Sequence, residues 1–122
     1  MRQSSYSVGT KQKDIFAVAG SNFMNVNIKL TKTTVNSKLV NGILPAGTRI
    51  AKDGSIATEG SSSAASTAYG VLVNDVDFNN STGTEIGSVC IFGFLSEARI
   101  NEYTSGTVSE YEKAALNMIK FL

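Results

Sequence analysis

Apolar and polar residues alternate from position 23 to position 32, which is the clearest secondary-structure signal in the N-terminal half of the chain. Met24, Val26, Ile28 and Leu30 would share one face of an extended strand, and the residues between them are polar. A period of two over this length indicates a strand that lies half-buried on a core. The pattern therefore predicts a first β-strand here.

Two further apolar runs, at residues 68–76 and 86–95, predict strands that are buried more deeply. The centre of the second run is apolar on both faces. By strand geometry one face carries Val89, Ile91 and Leu95, and the other carries Cys90, Phe92 and Phe94. Such a strand must be covered on both sides. A helix packed outside a single barrel core and a second subunit are two ways of covering it, and they are compatible.

Short motifs with glycine or proline separate these runs and predict turns. Asn41-Gly42 is a strong signal for a tight turn. The Pro-Ala-Gly motif at 45–47 predicts a second turn just before a short strand at 48–51. Asp53-Gly54 predicts a third turn, and the serine-rich residues 58–67 predict a flexible surface loop within one domain.

One helix is predicted near the C-terminus. Ser109 can act as its N-cap, and Glu112 follows at the spacing of a capping box. Its apolar stripe would consist of Tyr111, Ala114, Ala115 and Met118. The apolar residues 119–122 are expected to dock as a strand, and the β-prone residues 33–37 are expected to continue the first strand. The pattern as a whole predicts a mainly β, barrel-like fold with one or two short helices.

Length and charge place the chain among small folded domains with an uneven electrostatic profile. Its 122 residues suffice for one domain with a modest core, and only 17% of them are charged. Such a poorly charged surface suggests that a partner covers part of it. Residues 1–40 carry six basic residues and one acidic residue, a net charge of +5, whereas residues 41–122 carry five basic and nine acidic residues, a net charge of −4.

The N-terminal residues are predicted to form an arm. Residues 1–14 are polar and cannot bury enough apolar surface to order on their own, so we expect disorder in the free protein. The apolar residues 15–19 would form either an anchor or a weak strand. This assigns 1–22 to a flexible arm and 23–122 to a single β-rich domain. The basic charge of the arm indicates either an acidic partner or a solvated tail, but it is too sparse for nucleic acid.

The residue inventory argues against catalysis. The chain has no histidine, one cysteine and no phosphate-binding glycine loop, which removes the commonest general base, the commonest metal ligand and any intrachain disulfide. No signal peptide or membrane-length apolar run is visible, so we expect a soluble protein made in the cytoplasm. The sequence therefore predicts a protein that is not an enzyme and needs no cofactor or metal.

Two features still deserve weighing as chemistry. Asp75 and Asp77 would point to the same side of a strand, where a carboxylate pair can bind Ca²⁺ or divide acid and base roles. Carboxylates at a strand end more often cap a turn or pair with a basic residue, and this interpretation is favoured. Cys90 sits in an apolar strand without a base to activate it, so we expect a buried, inert thiol.

Four stretches, taken in order, resemble the phage lambda-type head decoration proteins. Residues 44–48 (Leu-Pro-Ala-Gly-Thr) look like the family's Leu-x-Ala-Gly-Thr turn, and residues 68–77 (Ala-Tyr-Gly-Val-Leu-Val-Asn-Asp-Val-Asp) look like its Ala-x-Gly-Ile-Leu-x-x-Asp-Val-Asp strand. Residues 89–95 look like its Val-x-Val-x-Gly strand, and residues 113–121 look like its closing helix and last strand. The resemblance covers about two-thirds of the chain, and residues 23–39 are more strand-like and more basic than a simple family arm.

The resemblance implies a structural role on a virus particle. It implies a homotrimer at local three-fold positions of the expanded capsid, with the major capsid protein as partner, the capsid exterior as location, and no catalytic activity or cofactor. It also implies an N-terminal arm that orders on the shell by adding backbone hydrogen bonds, without nucleic acid or membrane as partner. The residues expected to contact the capsid are Tyr6, Lys11, Lys13, Ile15 and Phe16, with Pro45 near a subunit-facing or shell-facing rim.

Two other classes of function compete with this one. A receptor- or glycan-binding module, such as a head-fibre base or an adhesin domain, would need exposed aromatic residues in a cluster, whereas the four tyrosines are scattered and tryptophan is absent. An enzyme would have to use Asp75 and Asp77 without histidine. For the decoration protein we expect that removal of residues 1–16 abolishes capsid binding and leaves the fold intact.

Overall fold

The computed structural model describes residues 14–17 and 23–122, and most of its regular structure is β. The strands are β1 (Met24–Thr31), β2 (Ile43–Leu44), β3 (Arg49–Ala51), β4 (Ala68–Leu72), β5 (Val76–Asp77), β6 (Thr84–Leu95) and β7 (Ile119–Phe121). The helices are α1 (Lys32–Val35), α2 (Glu97–Thr104) and α3 (Glu110–Ala115), with a 3₁₀ turn at Asn36–Lys38. The predicted class, mainly β with short helices, is confirmed.

The long strand β6 organises the main sheet. It pairs antiparallel with β1 on one side and with β4 on the other, and β3 extends the sheet beyond β4. The C-terminal strand β7 runs parallel to the last residues of β6, so the chain end docks as predicted. The short strands β2 and β5 form a separate antiparallel pair. Strand β6 therefore contacts every strand of the main sheet except β3.

Two hydrophobic clusters cover the two faces of the main sheet. One contains Ile15, Ala46, Ala57, Ala68, Val71, Cys90, Leu95, Ile100, Val108, Leu116 and Ile119. The other contains Leu30, Val35, Leu44, Ile50, Leu72, Phe78 and Val89. Val89 and Cys90 are neighbours in β6, lie in different clusters and are both fully buried, as period-two geometry requires. A single chain thus covers both faces of the central part of β6.

A bulge interrupts the pairing of β6 with β1. Asn25 lies opposite Cys90 and Met24 lies opposite Phe92, which leaves Ile91 as an extra residue without a partner on β1. An extra residue bends the strand and reverses the alternation of side chains beyond it. The faces of the last β6 residues are therefore opposite to those expected from uninterrupted strand geometry.

Two predictions are corrected here. Leu95 packs in the cluster of Cys90, not on the face of Val89 and Ile91, because the inserted residue shifts β6 out of phase beyond that point. Met24, predicted to lie on the buried face of β1, is 56% exposed, because the core cluster on that face reaches Val26 but does not include Met24.

The predicted turns are present. Asn41 and Gly42 both have positive φ, of 54° and 80°, and the flanking Val40 and Ile43 exchange backbone hydrogen bonds of 2.9 and 3.0 Å. This is the two-residue hairpin turn that an Asn-Gly pair favours. At the following turn the Thr48 amide donates to the Pro45 carbonyl, directly before β3.

The helices match the sequence only in part. The capping box of α3 is confirmed, since the Ser109 hydroxyl accepts from the Glu112 amide at 3.1 Å and the Glu112 carboxylate accepts from the Ser109 amide at 2.8 Å. The predicted stripe is wrong at Ala114, which is exposed, and at Met118, which follows the end of α3 and is exposed. Residues 33–37, predicted as extended, form α1 and the 3₁₀ turn. Helix α2 was not predicted.

No helix within residues 14–17 and 23–122 is long and apolar enough to cross a membrane.

Candidate functional site

The segment at residues 14–17 is fixed against the end of β6. Its Ile15 side chain is fully buried in the core. The Ala17 amide donates to the Phe94 carbonyl at 3.0 Å, and the Ser96 amide donates to the Ile15 carbonyl at 2.8 Å. These bonds continue the sheet by a short antiparallel contact, so the segment is an anchor in the sense that the sequence suggested for residues 15–19.

Side chains of α2 hold the same segment from the other side. The Arg99 guanidinium donates from Nη1 to the Phe16 carbonyl at 3.0 Å and to the Asp14 carbonyl at 3.3 Å. The Asp14 amide donates to the Tyr103 hydroxyl at 3.2 Å. The folded body thus extends to Asp14, and residues 1–13 are joined to it at a fixed point.

The end of β6 lies between this segment and β7. The Gly93 amide donates to the Met118 carbonyl and the Leu122 amide donates to the Leu95 carbonyl, which fixes β7 on one edge. Backbone groups of alternate residues point to opposite edges of a strand. Residues 94 and 96 bind the anchor segment, so the anchor occupies the opposite edge. Both edges of this strand end are therefore used within one chain.

The side chains at this end of the sheet form an exposed apolar face. We define the apolar face as Met24, Phe92, Phe94 and Met118, each of which is between 39% and 60% exposed. Met24 pairs with Phe92 across the strands, and Phe92, Phe94 and Met118 line one shallow depression of about 270 Å³. Four large apolar side chains thus stand together in contact with solvent.

The bulge explains why this face is exposed. Up to Cys90, both faces of β6 lie under a core cluster, but beyond Ile91 the alternation reverses and turns Phe92 and Phe94 outward. Contiguous apolar patches of several hundred Å² are uncommon on monomeric proteins and usually mark a contact with another macromolecule. The anchor segment adjoins the face, since the Ala17 amide donates to the carbonyl of Phe94.

The structure separates the residues that the sequence proposed for capsid contact. Tyr6, Lys11 and Lys13 lie outside the described residues. Ile15 is buried, so its side chain has no surface to offer a partner, whereas Phe16 is half-buried beside the apolar face. The Pro45 side chain is also buried. It lines a separate cleft, and no residue of the anchor segment lines that cleft.

Pro45 lines a cleft of about 240 Å³, in which the side chains of Arg49 and Glu112 are engaged within the fold. The Arg49 Nε binds the Glu112 Oε2 at 3.0 Å, and the other guanidinium nitrogens donate to the carbonyls of Gly47 and Thr107 at 2.9 and 3.1 Å. The second Glu112 oxygen accepts the capping bond of α3. These bonds connect α3 and the loop before it to β3. The charged pair in the cleft therefore has a structural role.

The two aspartates of residues 75–77 serve the backbone. Asp75 accepts a hydrogen bond from the Ala46 amide at 2.7 Å, and Asp77 accepts one from the Asn79 amide at 2.8 Å. Each carboxylate therefore fixes a turn, as the favoured interpretation of the sequence predicted. Within the described part of the chain, no group of three or more histidine, cysteine, aspartate or glutamate side chains is arranged to hold a metal ion.

Cys90 is buried in the core, as predicted. Burial raises the pKa of its thiol, and the Sγ atom lies 3.2 Å from the Phe92 carbonyl oxygen, to which it donates. A neutral, buried thiol is a poor nucleophile.

No family model, curated protein or solved structure matches this chain. The functional argument therefore depends on the residues themselves. Sequence reasoning anticipated the anchor but missed the apolar face. The signal available for it was the pair Phe92 and Phe94, apolar residues two apart near the end of a strand, and the bulge that exposes them leaves no mark in the hydrophobic pattern.

Proposed function

We propose that this protein is a phage head decoration protein, which binds the expanded capsid as homotrimers at three-fold positions and stabilises the shell against genome pressure. The four ordered stretches that resemble the lambda-type family support the proposal, as does the mainly β fold. The observation that carries it is the anchor segment, which joins thirteen preceding residues to the body directly beside an exposed apolar face.

In this proposal residues 1–13 make the capsid contact as an extended strand. Main-chain hydrogen bonds to the major capsid protein supply affinity, and alternate side chains such as Tyr6, Lys11 and Lys13 supply register. The anchor at Asp14 to Ala17 stays in the body, which fixes one end of the arm and lowers the entropic cost of ordering the rest. Ile15 therefore acts as part of the anchor and not as a contact residue.

The stabilisation of the shell follows from linkage. A protein that binds the expanded lattice and not the procapsid shifts the equilibrium between them toward the expanded form. Several arms from one oligomer would act together, since the second and third bind at a high effective concentration once the first has bound. Weak individual contacts would then suffice.

Co-sedimentation with capsids tests the function. Purified protein is sedimented with expanded capsids of its own phage and, separately, with procapsids. The expected result is saturable binding to the expanded form alone, with three copies at each three-fold site. The matched control is the chain without residues 1–13, which keeps the anchor and should not co-sediment. Failure of the full chain to bind expanded capsids would refute the proposal, and a glycan-binding screen would then test the receptor-binding alternative.

A further inference from the structure

We propose that the apolar face, formed by Met24, Phe92, Phe94 and Met118, is the surface through which copies of this chain associate with one another. The inference deepens the proposed function, because it assigns the contact between subunits to named residues and leaves the arm for the capsid. It is nevertheless testable on purified protein without capsids.

The exposed area of the face has the right size for the centre of such a contact. Its side chains are 39% to 60% exposed. Phe and Met side chains of this size then contribute roughly 400 Å² of accessible area together. A standard interface buries about 800 Å² on each partner, of which about two-thirds is apolar when the partners are identical. The apolar face alone supplies most of that apolar share.

The chemistry of the face favours a permanent partner. Lys120 is the single charged residue that lines its depression within the described part of the chain, and it stands opposite Phe94 at the margin. Permanent interfaces between identical subunits are more apolar than interfaces that form and dissociate. The face lacks the interspersed charges that keep an edge or a patch soluble on its own.

The timing of exposure favours a second copy over the capsid protein as the occupant. A partner that is met only after capsid expansion would leave this face in water from synthesis until assembly, with the risk of aggregation. Another copy of the same chain is present from the start. The capsid contact has a separate candidate in residues 1–13, whose attachment point at Asp14 is polar and exposed.

The experiment compares the mass of matched variants in solution. Met118→Glu and Met24→Glu place a charge at the two most exposed positions of the face, so neither removes core packing. Ile86→Glu is the control, because Ile86 is 62% exposed on the same strand β6 but near its other end, opposite Lys29. Sedimentation velocity over a concentration range from about 1 to 100 μM gives mass and dissociation constants in the range that such an interface produces. Circular dichroism confirms that each variant is folded.

The wild-type chain and Ile86→Glu are expected to associate alike, whereas both methionine variants should raise the dissociation constant at least tenfold. A wild-type chain that stays monomeric throughout, or folded methionine variants that associate as tightly as Ile86→Glu, would overturn the inference. Loss of capsid binding in Met118→Glu with a monomeric wild type would assign the face to the capsid protein instead. A dimer that depends on Met118 would support the inference and contradict the trimer of the proposed function, so the two can fail separately.

Discussion

At the scale of single residues, the fold depends on a buried ion pair that satisfies every group it contains. The side chains of Arg49 and Glu112 are 11% and 2% exposed, and each hydrogen-bonds to backbone groups as well as to the other. Desolvation of two such charges is costly, and the cost is offset only when the geometry and the remaining hydrogen bonds are complete. The pair therefore positions α3 on β3 more than it adds stability.

Removal of one partner of this pair should therefore lower the free energy of unfolding far more than removal of one partner of an exposed pair. Glu112→Ala leaves the Arg49 charge buried and opens the capping box, so we expect a loss of about 3–5 kcal/mol in the free energy of unfolding. Glu97→Ala is the control, because the Glu97–Lys113 pair is equally short at 2.7 Å but partly exposed. Its loss should stay below about 1 kcal/mol. Urea unfolding followed by circular dichroism measures both, and similar losses would contradict the argument.

The thiol of Cys90 offers a probe of local opening. Its folded pKa is raised by burial, so at pH 8 the folded chain holds less reactive thiolate than the unfolded chain does. Any stability that this group contributes is present below the ordinary thiol pKa and is lost as pH rises toward the raised value. We expect an aromatic disulfide reagent to react at least ~100-fold more slowly with native protein than with the urea-unfolded chain. Equal rates would show that the centre of β6 opens readily.

At the scale of elements, the turn between β3 and the serine-rich loop packs directly against the backbone of β1. A Cβ atom added at Gly54 would meet the carbonyl oxygen of Lys29 and the side chain of Ile28. Gly54 also has a positive φ of 91°, which side chains disfavour. The close approach closes the edge of β1 at this point and protects it from pairing with other chains.

The pair Gly54 and Gly83 separates close packing from backbone strain. Both have positive φ, but a Cβ at Gly83 meets nothing within 4 Å. Gly83→Ala should cost about 1–2 kcal/mol for the left-handed conformation alone. Gly54→Ala should cost at least about 2 kcal/mol more, because the turn must also move away from β1. Equal losses in urea unfolding would mean that the turn moves away from β1 at no cost in free energy.

The same elements show which features a sequence pattern can carry. The strands β1, β4 and β6 and the cap of α3 were predicted because their signals are local: alternation, apolar runs and capping-box spacing. The bulge at Ile91 was not, since it depends on how β6 pairs with a strand sixty residues away. Helix α2 was missed because it buries only Ile100 and shows no apolar stripe. Helix α1 was predicted as extended because its residues are β-prone, and the packing of Val35 against the core overrides that propensity. The apolar face was not predicted either, because its exposure depends on the bulge at Ile91.

At the scale of the whole molecule, the boundary between arm and body decides which truncations are informative. The sequence placed the boundary after residue 22 and suggested that residues 1–16 could be removed without harm to the fold. Ile15 is fully buried, however, and residues 14–17 bind both β6 and α2. We therefore expect a truncation that includes Ile15 to destabilise the fold.

Two truncations then give opposite results. A chain that begins at Asp14 should keep its melting temperature, because every described contact is retained, and should lose capsid binding under the proposed function. A chain that begins at Val18 loses the Ile15 side chain and the sheet contacts of the anchor. Loss of a buried isoleucine alone costs about 2–5 kcal/mol, which for a domain of this size lowers the melting temperature by roughly 10 °C or more.

Thermal unfolding of both truncations, with co-sedimentation of the stable one, separates the two roles of the N-terminus. If the chain that begins at Asp14 melts like the full chain but still binds expanded capsids, the arm does not make the capsid contact and the body must. If the chain that begins at Val18 is as stable as the full chain, the anchor contributes nothing to the fold. With both outcomes as expected, residues 1–13 bind the shell and residues 14–17 hold them in place beside the apolar face.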